Sequence, residues 1–220
     1  MNESPRSRPI ALEDRGAHED ARLSSPSAGR NREPIRDVLA PLLAHGARVL
    51  EIASGTGEHA ACLAKARPDL DWIPSELDPA SRASIAAWAR AEGLTNIRAP
   101  LAIDAAESAW GVEDQPLFDA LININMIHIS PWEACLGLLA GAGRLLRPGG
   151  LLFLYGPFSR GGEHTAPSNA AFSENLKARD PNWGVRDLDD VATAGERHGL
   201  TLETTVVMPA NNLSVVFVWR

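Results

Sequence analysis

The chain has 220 residues, 45% of them apolar and 22% charged, enough for one domain with a buried core at roughly 150 residues per domain. Its 21 Lys and Arg against 28 Asp and Glu leave a net charge of −7, which repels phosphate backbones and argues against a nucleic-acid partner. No run reaches the ~18 apolar residues of a membrane span, residues 1–30 lack the apolar segment of a secretory signal, and Cys62 and Cys135 offer no disulfide framework, so a reducing, cytoplasmic setting is expected.

Residues 1–22 mix Arg, Glu, Asp, Ser and Pro without periodicity and read as a mobile tail. From Asn31 onward, short apolar runs alternate with helical patterns, as in stacked βαβ units. Ile35, Val38, Leu39 and Leu42 recur at helical steps and predict a helix over 34–44. A strand over 47–52 then runs into Ala53-Ser54-Gly55-Thr56-Gly57, and a helix follows from Glu58 to Arg67. The next strand is 71–74. Its helix opens with Asp78 as N-cap and Pro79 in the first turn, and closes at Gly93.

A third strand is expected over 97–103 and a fourth over 118–125. Ser130-Pro131-Trp132-Glu133 has the spacing of a capping box and predicts a helix ending near Gly149-Gly150. A fifth strand, 151–155, leads into a loop over 156–167, a helix over 168–179 and another from Asp187 to Gly199. Strands over 202–208 and 213–219 flank Pro209-Ala210-Asn211-Asn212 and read as an antiparallel hairpin. The expected fold is α/β: a mostly parallel sheet with one antiparallel strand.

Between the first strand and its helix, glycines let the backbone turn sharply and approach a ligand. About twenty residues on, Glu76 ends the second strand, where a carboxylate can hold both hydroxyls of a ribose. Asp78 is the rival for that role, better used as the helix cap. The frame Gly55, Gly57, Ala60 has alanine in the third position, which leaves a nicotinamide dinucleotide open. A plain tight turn is the bland alternative.

Glu51-x-x-x-Gly55-x-Gly57, the acidic end of strand two, Asp104 after strand three and Leu146-Arg147-Pro148-Gly149-Gly150 before strand five resemble the class I S-adenosylmethionine-dependent methyltransferases over residues 46–155. More specifically, the chain resembles the methyltransferase-like protein 26 family, catalogued as a domain of unknown function. The matching blocks include residues 23–35, Pro74-Ser75-Glu76, Asn125 to Trp132, Tyr155-Gly156-Pro157-Phe158, Arg179 to Gly184 and Met208 to Asn212. Glu76 departs from the Asp usual there; it is equally acidic and slightly longer.

The resemblance implies a Rossmann-like, seven-stranded sheet with an antiparallel last strand and helices on both faces. Residues 23–220 would then form a single domain, with 23–45 as lid and helix and 156–190 as a substrate-side insertion. It implies S-adenosylmethionine as cofactor. Gly55 and Gly57 would contact its methionine part, Glu76 would hold its ribose, and Asp104, with Ala105 beside it, its adenine; Glu51 and Ala53 join the cofactor set. Asp104 reads equally as a turn residue.

Ligands of open α/β sheets bind beyond the carboxyl ends of the parallel strands. Asn123, Asn125, Met126 and His128 lie at one such end, Tyr155 and Phe158 at another, Asn211 and Asn212 at a third. His128 is the candidate general base, with a strand-end cap as the alternative. Tyr155 and Asn125 complete the catalytic candidates. Asn123 joins the cofactor set, and so do Asn31 and Arg32, which enter from the lid. Arg32 suits a ligand carboxylate. The expected acceptor wall is Met126, Trp132, Phe158, His164, Trp183, Arg186, Asn211 and Asn212, although the two last asparagines also suit a tight turn. His45, His59 and His198 read as helical surface residues. The six histidines show no metal-ligand spacing.

The expected activity is methyl transfer to the oxygen or nitrogen of a small molecule. The alternatives are a cofactor-binding protein that methylates nothing, and an isomerase or cyclase using the cofactor's charge. Monomer and homodimer both remain open.

Overall fold

The computed structural model describes residues 13–220. Two short strands, β1 (Gly16–Ala17) and β2 (Leu23–Ser24), pair antiparallel ahead of α1 (Pro26–Leu39). The main layers follow: β3 (Arg48–Ile52), α2 (Glu58–Ala66), β4 (Asp71–Pro74), α3 (Pro79–Ala91), β5 (Phe118–Ile124), α4 (Trp132–Leu145) and β6 (Leu146–Gly156). The C-terminal part adds β7 (Phe158–Arg160), β8 (Glu163–His164), α5 (Pro167–Arg179), β9 (Arg186–Asp187), α6 (Leu188–Glu196), β10 (Leu200–Met208) and β11 (Asn212–Trp219). No helix among the described residues is long and apolar enough to cross a membrane.

The central sheet has the order β10-β11-β6-β5-β3-β4, with β11 antiparallel to both its neighbours. Side chains alternate across a strand, so β3 feeds two cores. Leu50 and Ile52 pack on one face with Leu138 and Leu139 of α4 and Val191 of α6. Val49 packs on the other with Ile35 and Leu39 of α1 and Leu63 of α2. The carboxyl ends of β3, β4, β5 and β6 share one rim.

Among the described residues the sheet has six strands, not seven. Residues 97–103 touch the β4 side only through isolated bridges, Trp72 to Ile97 and Ser75 to Leu101. Arg98 donates to Trp72 O and Leu101 to Pro74 O, but Pro100 between them has no N–H and the ladder breaks there. The first long helix begins at Pro26 rather than Pro34, which sits inside it. Glu13 accepts from Ser27 N at 2.8 Å and from Ser25 Oγ at 3.2 Å, and Glu58 takes Ser25 N at 2.6 Å, so the earlier Ser-Pro pair starts the helix.

Residues 1–12 of the expected tail lie outside the described residues. Residues 13–22 are tied to the domain: Arg15 donates to Ser81 Oγ at 2.8 Å, and Arg22 stacks over Trp88. The expected capping box does not form. Ser130 Oγ donates back to Met126 O at 2.8 Å, and Pro131 takes the cap position. The expected loop over 156–167 contains strands. β7 pairs with β8 antiparallel and with β9 in parallel, a small second sheet beyond β6.

Candidate cofactor cleft

The turn after β3 holds three left-handed residues, Ala53 (φ 57), Gly55 (φ 58) and Gly57 (φ 91). It is sewn to the end of β4 by Ser54 N to Ser75 O and Ser75 N to Glu51 O, both 2.8 Å. The two glycines serve different ends. A Cβ on Gly57 would stand 2.8 Å from Ile85 Cα, so this glycine lets α3 approach the turn. A Cβ on Gly55 would meet nothing within 4 Å. Gly55 therefore faces open space, and Gly57 packs.

Glu76 reaches across to this open side. Its Oε2 accepts from Gly55 N at 2.9 Å, and its Oε1 from Leu77 N at 2.8 Å. Burial raises its pKa against the pull of those N–H groups. Asp78 is occupied as the cap of α3, accepting from Ser81 N at 3.0 Å and Ser81 Oγ at 2.7 Å. Of the two carboxylates, Glu76 is the one bound to the Gly55 turn.

Glu51 lies beneath the turn, only 1% exposed. Its Oε2 accepts from Trp72 Nε1 at 3.0 Å, and burial pushes it up to about 7. The expectation of a direct cofactor contact is corrected here, because the carboxyl faces Trp72 rather than the open side. Asp104 accepts from Ala106 N at 2.9 Å and takes Glu107 N on its carbonyl, the geometry of a turn. Ala105 is buried, its carbonyl lying where a Cβ on Gly137 of α4 would fall.

Arg32 turns to the buried Glu58, 3.5 Å away, and lines a groove of about 290 Å³ between α1, α2 and α3 with Cys62 and Trp88. Asn31 bonds His59 Nε2 at 2.8 Å, and it meets the Tyr155 hydroxyl together with Asn212. His59 is therefore no surface residue. It is 9% exposed, and burial holds its pKa down at about 4. This Asn31–Tyr155–Asn212 link ties α1 to the β6 and β11 ends of the rim. The signal available in the sequence was only the chemistry of its members, which lie in distant blocks.

At the end of β5, Asn123 is fully buried. Its Nδ2 donates to Ile52 O at 2.9 Å and its Oδ1 has no partner. Asn125 adopts φ 66, with its backbone N–H on Tyr155 O and its side chain half-buried. His128 does not fit the base role. Its Nδ1 accepts from Arg186 N at 3.2 Å, so the proton sits on Nε2, which is sealed and unpartnered. The ring packs edge-on against Phe158, and burial with the nearby Arg186 pushes its pKa down to about 3. It stays neutral and holds its neighbours in place.

Arg186 is likewise consumed internally. It donates to Ile127 O at 2.8 Å, Ser130 O at 2.6 Å and Asn182 O at 2.8 Å, and lies over the Trp132 ring. Trp183 is half-buried and His164 exposed. Asn211 adopts φ 58 and donates to Ser168 Oγ at 2.9 Å, clasping α5 to the hairpin turn. Met126 is half-buried, with its carbonyl and sulfur on Ser130. Beside Trp132 a cavity of about 650 Å³ opens, lined also by Ser159, Asp187 and Asp189. Those three residues carry no sequence signal beyond a helix start.

Residues 22–219 match the family model described as "Protein of unknown function (DUF938)". The chain belongs to this family. Among solved structures, this DUF938 protein is similar to an O-methyltransferase family protein from Burkholderia thailandensis (18% identity over 88% of this chain and 57% of that one, TM-score 0.73). It is also similar to the S-adenosylmethionine-dependent methyltransferase SibL (20%, 87% and 55%, TM-score 0.69). A third is CalO1, a methyltransferase in calicheamicin biosynthesis, in its SAH-bound form (12%, 88% and 54%, TM-score 0.71). The chain spans little more than half the length of these proteins. At such identities the likeness establishes the architecture the chain shares with these proteins.

Proposed function

We propose that this DUF938 protein binds S-adenosylmethionine at the β3–α2 turn and methylates an oxygen or nitrogen of a small molecule. The observation that carries the reading is the Gly55–Glu76 pair: Glu76 accepts from Gly55 N at 2.9 Å, and a Cβ on this glycine would meet nothing within 4 Å. The residues fit the group. Glu76 supplies acceptors for ribose hydroxyls, Gly55 leaves room for a close approach, and the buried Asn123 Oδ1 is an acceptor still without a donor. When bound, the cofactor supplies a methyl group on a cationic sulfur. The blocks resembling the methyltransferase-like protein 26 family and the neighbours named above support the same reading.

The chain's own part is alignment and exclusion of water. Glu76 orients the ribose, and Asp104 and Ala105 flank the adenine side. Asn31, Tyr155 and Asn212 hold α1 across the rim, while Asn125 and Met126 form the acceptor side near the β5 end; Phe158, expected on that side, is fully buried against His128 and packs behind it. Trp132, Trp183 and the 156–190 insertion wall that side. The net charge of −7 favours a small molecule over a nucleic acid, and a cytoplasmic monomer or homodimer is the setting proposed.

Titration of the purified protein with S-adenosylmethionine and S-adenosylhomocysteine by calorimetry tests the binding. Saturable heat from both is expected; none at millimolar ligand would overturn the reading. Labelled cofactor with extract from cells lacking the gene tests transfer. A product heavier by one CH₂ unit is expected, whereas unlabelled turnover would favour an isomerase or cyclase.

A further inference from the structure

Beneath the turn lies a carboxyl that alignment of the cofactor does not use. Glu51 is 1% exposed and has hydrogen bonds from Trp72 Nε1 and the Ser54 side chain, but no cation of the described residues acts on it. The charged group acting on it is a second carboxyl, Glu76. Several charged and titratable side chains on the packed elements are engaged elsewhere. On α2, Glu58 takes Ser25 N and Thr56 Oγ1, and His59 is bonded to Asn31. On α1, Arg32 pairs with Glu58. Asp71 on β4 pairs with Arg98 and Arg48, and Asp119 on β5 with Arg147. Arg15 reaches Ser81 and acts on Glu76 and Asp78 from outside.

A buried carboxyl without a counter-cation is costly when ionised, and a cation brought nearby relieves that cost. We propose that Glu51 makes the turn prefer the cationic sulfonium to the neutral thioether product, by giving up a proton when the former binds and regaining it after transfer. The proposal rests on the cofactor reading of this same turn. Binding then converts neutral Glu51 and a sulfonium cation into a carboxylate–sulfonium arrangement plus one proton released to solvent. After methyl transfer the sulfur is neutral, and the carboxylate takes a proton back from solvent. The residue acts at a distance, through charge, since its side chain faces Trp72. Its ordinary range is displaced upward to about 7 by burial, which places the exchange near neutrality.

The test is calorimetry with S-adenosylmethionine and S-adenosylhomocysteine at about pH 6 and about pH 8.5, in two buffers of different ionisation enthalpy. The sulfonium-to-thioether affinity ratio should rise by about tenfold across that range, the order of effect one added negative charge beneath the turn would have on a cation at intermediate dielectric. Buffer-dependent heat should report proton release with the sulfonium. Glu51→Gln should flatten the ratio while keeping thioether binding, and comparison with it removes the ligands' own titration. Trp72→Phe removes the hydrogen bond favouring the carboxylate and should move the midpoint to higher pH. Equal pH responses for both ligands, a Gln variant that keeps the dependence, or an unmoved midpoint in Trp72→Phe would each overturn the proposal. Thioether binding without any linkage would overturn it while leaving the cofactor reading intact; no binding of either ligand would remove both.

Discussion

The two sides of the rim are built in opposite ways. Around the β3–α2 turn, polar atoms are left with capacity: Gly55 faces open space, Glu76 lies at its mouth, and Asn123 Oδ1 has no partner. Around the 180–187 segment, polar groups are spent on the protein itself. Arg186 satisfies three backbone carbonyls and its N–H caps His128, whose own carbonyl takes Gly184 N. Side chains alike in type therefore differ in use. A half-buried arginine whose Nε and Nη2 are engaged on backbone carbonyls holds a wall, while a carboxylate at an open turn waits for a ligand.

That contrast can be broken by mutation. The largest effect is expected from Arg186→Ala, which strands buried carbonyls and should cost about 3 kcal/mol in urea unfolding. Its S-adenosylhomocysteine affinity should stay within about twofold, since the clasp lies away from the turn; a collapse of affinity would merge the two sides. Glu76→Ala should do the reverse, weakening calorimetric affinity by about tenfold to a hundredfold, equivalent to ~1.5–3 kcal/mol for hydrogen bonds to a charged group. Gly57→Ala should lower stability by about 2 kcal/mol, because its Cβ meets Ile85 Cα at 2.8 Å in a left-handed conformation. Gly55→Ala, equally left-handed but without a neighbour, should cost only ~1 kcal/mol and should show mainly as lost ligand affinity.

What was legible in the sequence follows the same division. The strand 71–74, the Asp78 cap and the Gly55–Glu76 spacing come from consecutive elements whose geometry is local, and they stand as expected. Partners distant in the chain were not legible. His59 looked like a surface residue because Asn31, 28 residues earlier, is what buries its imidazole. His128 looked like a base because its Nδ1 partner, Arg186 N, lies 58 residues later. The helix expected from Pro34 starts at Pro26 instead, because Glu13 and Glu58, from outside the helix, hold the N–H groups of Ser27 and Ser25. Pro100 was visible, yet its removal of one ladder donor cost the sheet its seventh strand.

The most direct measurement is a crystal structure of the protein soaked with S-adenosylhomocysteine. The account predicts density against Gly55, with both ribose hydroxyls within hydrogen-bond reach of the Glu76 carboxylate. A nucleoside seated elsewhere, or an empty turn with Glu76 still bound to Gly55 at saturating ligand, would contradict it.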